Sequence, residues 1–285
     1  MPDSVISIRG LRKSYGDLDA VRGIDLEVQA GEVFAFLGPN GAGKTTTVEI
    51  LEGYRERSAG EVSVLGSDPQ KAGREWRERI GIVLQSSRLD PYLTVRESLS
   101  LYAGYYREPR PVEEVIELVG LQGKADERAR RLSGGQQRRL DVGMALVGDP
   151  ELLFLDEPTT GFDPSARRQA WDVIAGLREL GKTVFLTTHY MDEAQRLADR
   201  VTIISRGEIV ASGTPADLGD RESLPTRISY RRDGEEVALQ TTEPVRRLHE
   251  LTGEALERGF ELEGLEVTRP TLEDVYLELT AEPGE

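Results

Sequence analysis

Cysteine is missing from all 285 residues. That excludes disulfides, thiolate metal sites and a cysteine nucleophile, and it makes a reducing cytosol the expected compartment. Long apolar runs are missing too. The segments "VFAFLG" and "LLFLD" fall far short of the ~20 residues of a membrane span. The opening "MPDSVISIRG" has no basic region followed by an apolar one, so no signal peptide is expected. Positive charge is in deficit: 36 Lys and Arg stand against 51 Asp and Glu, a net −15. Such a balance argues against nucleic acid or anionic lipid as a general partner. If this chain works at a membrane, another chain must provide the spans. Histidine is scarce, with only two in the chain. His249 falls in a polar stretch near the end, and His189 closes an apolar run.

What is present is the composition of a soluble globular protein, 38% hydrophobic and 31% charged. The length suits one large domain plus a small one. Short β-branched runs recur: "VISI", "GIDLEV", "EVFAFL", "EVSVL", "IGIVLQ", "ELLFLD", "KTVFLTT", "VTIIS" and "EIVASG". Several are almost wholly apolar, as strands buried on both faces are. Amphipathic stretches lie between some of them. Ala170, Trp171, Ile174, Leu177 and Leu180 share one helical stripe, and Met191, Ala194, Leu197 and Ala198 share another. The alternation predicts an α/β fold with a mostly parallel sheet. Residues from 91 to about 148 read instead as a helical insertion. Residues 226–285 read as a small separate α+β domain following a main domain over 1–220. It should hold a hairpin around Asp233-Gly234, a helix over Pro244–Arg258, a strand near "FELEGLEV" and a last helix from Pro270. Fifteen acidic and seven basic residues in that tail account for about half of the net charge, which reads as a solvated acidic surface.

One turn carries a strong chemical signal. In "GPNGAGKTT", residues 38–46, a strand should end at Leu37 and a helix should begin near Lys44. Gly38, Gly41 and Gly43 permit close backbone approach and left-handed dihedrals. Amides from Gly41 to Thr46 would point at a β-phosphate, at the positive end of a helix. Lys44 would add charge to the β- and γ-phosphates, and the Thr45 hydroxyl could ligate Mg²⁺. A nucleotide site needs an acid as well. "ELLFLDEPTTGFDP" supplies Asp156 at the end of an apolar strand as the metal-side carboxylate, with Glu157 next. Successive strand residues face opposite ways, so Glu157 must sit where the chain already bends, as Pro158 suggests. There it could polarise an attacking water. His189 and Gln85 also close apolar runs, at strand edges of the kind where ligands bind in α/β sheets. A second glycine pair, in "RRLSGGQQRRLDVGMAL", looks built to cap a helix and hold an anion. It lies about ninety residues after the first.

These motifs together resemble the nucleotide-binding subunit of an ABC transporter, a P-loop NTPase fold, over residues 1 to about 220. "GPNGAGKTT" is similar to the Walker A loop, which includes Asn40, "LLFLDEP" to Walker B and "LSGGQQ" to the family signature. "GFDP" resembles the D-loop ending at Asp163, Gln85 the Q-loop and His189 the switch histidine. The resemblance implies ATP and Mg²⁺ as ligands, with Tyr15 stacked on adenine, Thr45, Gln85 and Asp156 at the metal, and Lys44, Glu157 and His189 in catalysis. It implies two subunits paired head to tail, identical or paralogous. Ser133, Gly135 and Gln137 would then cap the ATP held by the partner. Phe162 departs from the leucine usual in the D-loop. The ending "GLEVTRPTLEDVYLELT" resembles the ATPase subunits of ABC-2 type exporters, the daunorubicin-resistance type among them. That implies a peripheral position on the cytoplasmic face of the membrane beside a separate permease. It also implies export of a drug, lipid or other amphipathic cargo, and no nucleic acid. Two other readings stay open from sequence: a soluble ABC ATPase of a cytosolic machine, and a nucleotide-binding regulator or resistance factor.

Overall fold

The computed structural model of the chain describes residues 4–84, 89–219, 225–232, 234–268 and 272–280. The chain packs as two compact units, Met1–Ser212 and Gly213–Glu285. The junction lies before the stretch at 220–226 where the sequence suggested one.

In the first unit, β1 (Ser4–Tyr15) and β2 (Leu18–Gln29) form an antiparallel ribbon. Both strands bury alternate residues, so Ile6, Ile8, Leu11, Val21, Ile24, Leu26 and Val28 meet the core while their neighbours face out. Next come β3 (Val33–Leu37) and α1 (Lys44–Leu51), then β4 (Ala59–Val64), which pairs antiparallel with the other edge of β1. These amphipathic strands thus build a sheet of their own, in the order β2-β1-β4. A strand with one wet face suits an antiparallel sheet, whereas a strand buried on both faces suits a parallel one. That is why they stay out of the main sheet.

The main sheet takes the wholly apolar runs. After α2 (Arg74–Glu78) come β5 (Ile80–Val83) and a helical segment of α3 (Val95–Ala103), α4 (Val112–Leu118) and α5 (Gly134–Leu146). Then follow β6 (Leu152–Asp156), α6 (Pro164–Glu179), β7 (Thr183–Thr188), α7 (Met191–Leu197), β8 (Arg200–Ser205) and β9 (Glu208–Gly213). The strand order is β5-β6-β7-β3-β8-β9, and the ladders from β5 to β8 are parallel. Every residue of β3 and β7 is buried. Phe185 is the hub of one face, 5.4–5.7 Å from the rings of Phe34, Phe36 and Phe154. Truncating such a side chain to Ala costs about 3–5 kcal/mol. On the other side the helical segment joins the sheet in one apolar cluster, with Leu99, Val115, Val119 and Leu140 among Leu153, Leu155 and Leu186. Because β3, β6 and β7 run parallel and adjacent, their carboxyl ends open at one edge, where ligands of such sheets bind.

The second unit starts with α8 (Pro215–Gly219) and continues with β10 (Thr226–Arg232) and β11 (Glu235–Thr241), paired as the expected hairpin. α9 (Pro244–Arg258) follows, and β12 (Glu263–Thr268) pairs with β10. The last element is α10 (Leu272–Thr280), which packs on α8. Ile228, Tyr230 and Leu251 form a small core.

Candidate active site

A cavity of about 590 Å³ sits at that carboxyl edge. Its wall is made by Gly38, Pro39, Asn40, Gly41, Gly43, Lys44, Thr45 and Thr46, by Asp156, Glu157 and His189, and by Tyr15, Leu18 and Ala20. The loop between β3 and α1 has this shape because its glycines alone fit it. Gly41 and Gly43 hold φ of 79° and 106°. A Cβ on Gly43 would lie 2.5 Å from the Ala20 carbonyl, and one on Gly38 would collide with the Ile204 carbonyl. Gly43 directly precedes α1 and brings no side-chain cap, and the first-turn residues Lys44, Thr45 and Thr46, whose amides have no partner within a helix, line the cavity. An anion is the natural partner for that end of a helix.

Lys44 is 8% exposed and donates to the carbonyls of Gly38 (2.6 Å) and Pro39 (3.2 Å). Burial pulls its pKa down, while Glu157 and Asp156 oppose that shift. A cation held by carbonyls can exchange them for phosphate oxygens. At the end of β6 the Asp156 carboxylate accepts from the Thr187 hydroxyl at 2.5 Å. Glu157 then leaves the strand with φ 45°, the bend that Pro158 suggested. Its amide donates to both the carbonyl and the hydroxyl of Thr187, each at 3.1 Å. Its carboxylate accepts from Thr160 Oγ1 at 3.1 Å and stands 3.3 Å from Nδ1 of His189. A carboxylate and an imidazole therefore share one corner of the cavity, with the lysine facing them. Thr187 and Thr160 hold the acids in place, and the sequence reading passed over both. The available signals were the hydroxyl of Thr187 two residues before the strand-end histidine and that of Thr160 three residues after Glu157.

Tyr15 is at the rim, 39% exposed, with Lys13 and Arg55 cations 5.0 and 5.4 Å from its ring centroid. Gln85 lies outside the described residues. The signature residues are elsewhere. Ser133, Gly135, Gln137 and Asp163 are not among the residues lining the cavity. Ser133 caps α5: its hydroxyl accepts from the Gln136 amide, and the Gln136 side chain accepts from the Ser133 amide. Gln137 donates to the Ala129 carbonyl at 3.0 Å. Asp163 caps α6 by accepting from the amides of Ser165 and Ala166, which hold its carboxyl below the usual range. A Cβ on Gly135 would stand 3.0 Å from Ala166 Cβ and 4.0 Å from Phe162 Cε2. The signature glycine and the start of α6 thus touch each other, away from the lysine.

The family model described as "ABC transporter" matches residues 21–160, and a C-terminal domain model of ABC transporter domain-containing proteins matches 215–271. The Nod factor export ATP-binding protein I of Rhizobium johnstonii is 40% identical, over 96% of this chain and 94% of that protein. The daunorubicin resistance ATP-binding protein DrrA3 of Streptomyces coeruleorubidus is 36% identical, over 99% and 98%. Among solved structures, a cassette captured as a dimer after hydrolysis, with ADP and Pi bound, is 26% identical, with TM-score 0.65. It covers 73% of this chain and 98% of that one. CbiO1 of Clostridium perfringens, part of the cbiONQ transporter complex, is 29% identical with TM-score 0.67 over 76% and 90%. With the loop, the paired acids and the histidine in one cavity, these matches place the chain in the ABC transporter family, as an ATP-binding, ATP-hydrolysing subunit of the export type that these relatives represent.

Proposed function

We propose that this chain powers export of an amphipathic substrate through a separate membrane-spanning subunit, working as a head-to-tail pair at the cytoplasmic face of the membrane. The observation that carries the export reading is the full-length match to two export-type ATP-binding proteins, which runs through the second unit as well as the first. It also argues against a cytosolic machine or a regulator. No described helix is long and apolar enough to cross a membrane, so the permeation path would belong to the partner.

Each residue has a role in this reading. The α1 amides and Lys44 take the β- and γ-phosphates, and Tyr15 takes the adenine. Asp156 offers one carboxylate and Thr45 one hydroxyl in the same cavity. That donor set fits Mg²⁺, which takes few protein ligands and completes its shell with water and phosphate oxygens. Bound Mg²⁺ would neutralise charge on the triphosphate. Glu157 accepts the proton of the water as its oxygen attacks the γ-phosphorus, and the bond to the ADP oxygen breaks. His189 orients the same carboxylate. Ser133, Gly135 and Gln137, outside the cavity of their own chain, meet the γ-phosphate of the partner's ATP, and Asp163 lies along the same contact. ATP then bridges two helix N-termini, and cleavage removes the bridge. Expressing the chain with the membrane protein encoded beside it tests the reading. Both should enter the membrane fraction, with ATPase activity raised by amphipathic substrates. A chain left soluble at an unchanged rate would contradict it.

A further inference from the structure

Arg138 is 7% exposed, five residues into α5 from Ser133. Burial draws its pKa down, against the pull of Asp141, Asp156 and Glu193. The Asp141 carboxylate stands 3.9 Å away, beyond the reach of a tight fork. The guanidinium is spent instead on backbone carbonyls at the catalytic edge. Nη2 donates to the Asp156 carbonyl at 2.7 Å, Nε to the Pro158 carbonyl at 3.3 Å, and Nη1 to the Leu84 carbonyl. The first two bracket Glu157. The Asp156 carbonyl belongs to the same peptide group as the Glu157 amide, which Thr187 holds from the other side. That peptide is clamped at both ends just where Glu157 turns left-handed, at φ 45°. A non-glycine residue there is strained and persists only when its surroundings impose it. The third carbonyl, Leu84, follows β5.

One rigid helix therefore joins two groups with different clients. Its N-terminus carries the signature, and about one and a half turns further, about 7.5 Å of rise for five residues, it holds the backbone of the proposed general base. We infer that Arg138 is a positioning residue that ties engagement of its chain's signature to the placement of its own Glu157, so that ATP captured at one composite site readies the other. The inference rests on the reading above, in which Ser133 serves the partner's ATP and Glu157 the chain's own. Charge-assisted bonds to carbonyls are directional, so a shift of the α5 N-terminus on meeting phosphate moves the peptide before Glu157 with it.

Steady-state ATPase against ATP concentration tests this in wild type, Arg138→Gln and Arg138→Lys, with single-chain nucleotide affinity read from a fluorescent ATP analogue. The wild type should be sigmoidal, with a Hill coefficient approaching about 2 for two coupled sites. Arg138→Gln should be hyperbolic, with kcat down about tenfold, less than the roughly 10²–10⁴-fold of losing the general base itself, and with single-chain affinity unchanged. Arg138→Lys keeps the charge but not the planar fork and should fall between the two. It also carries the test if the glutamine variant does not fold. A lower kcat with the sigmoid intact would reduce Arg138 to a local prop, and a hyperbolic wild type would leave nothing to transmit. Either result overturns the inference. The composite-site reading is tested separately, by complementation between Lys44→Ala and Ser133→Arg chains; failure there, with the Hill result as expected, would sink that reading instead.

Discussion

Two helices of the first unit begin on glycine-rich turns, and they begin differently. α1 starts behind Gly43 with no side-chain cap, inside a walled cavity that also holds a lysine and two acids. α5 starts behind Ser133 with a complete capping box and takes no part in that cavity. The open end has, within its own chain, the cavity, the lysine and the acids that the proposed nucleotide site needs. The capped end has its Ser133 and Gln136 amides satisfied by the capping box and has neither a lysine nor an acid pair of the cavity beside it; in the proposed pair its anion comes with the partner. In the head-to-tail pair proposed above, these two similar motifs would form unequal halves of one site.

Breaking the open end should have the largest effect. Lys44→Ala removes the buried cation while leaving α1 and its neighbours in place, so ATP binding, measured by isothermal titration, should be nearly abolished with the melting temperature little changed. Wild-type binding would remove Lys44 from the site.

The next change sharpens the comparison. Glu157→Gln keeps the shape and loses the base, so hydrolysis should drop by roughly 10²–10⁴-fold. ATP would then hold open and capped ends together, seen as a long-lived dimer by size-exclusion chromatography. A monomer still turning over ATP would assign the base elsewhere.

The other end of α1 offers a smaller effect. The helix closes at Glu52, 5% exposed, whose carboxyl is pushed from 4.5 up to about 8 by burial first, then by Asp156 and Glu49. The folded chain keeps a proton there that the unfolded chain releases, so stability falls as pH rises from about 4.5 to about 8. Glu52→Gln should melt close to wild type at pH 5 and several degrees higher at pH 9, on the usual scale of stability against melting temperature for a domain of this size. A gap that does not change with pH would remove the buried acid from the account.

How far the sequence could be read follows the same contrast. The glycine spacing around Lys44, the apolar strand before Asp156 and the strand-end His189 are local signals, and each residue was legible from its neighbours. The bend at Glu157 was legible too, because alternation along a strand forbids adjacent acids from facing one cavity. Sheet membership was less so: β1, β2 and β4 looked like further strands of one parallel sheet. Only their exposed alternate residues mark them as a separate antiparallel layer. Arg138 was not legible as a tether. In "QQRR" nothing distinguishes it from Arg139, which donates to the carbonyls of Val119 and Gly120. Its partners are 18 to 54 residues away, and a bond to backbone carbonyls leaves no trace in their side chains.

The central claim is that the capped end of α5 serves the partner's nucleotide, and complementation tests it most directly. Lys44→Ala chains cannot hold ATP but present an intact signature. Ser133→Arg chains hold ATP but block the signature with a bulky side chain. Each alone has two broken sites. Mixed, they form one site with both defects and one with neither, so ATPase activity should return in part, or at least ATP-driven dimerisation if both sites must fire together. If each chain used its own signature, neither variant could repair the other. A mixture that stays inactive in both assays, with both chains folded, would contradict the account.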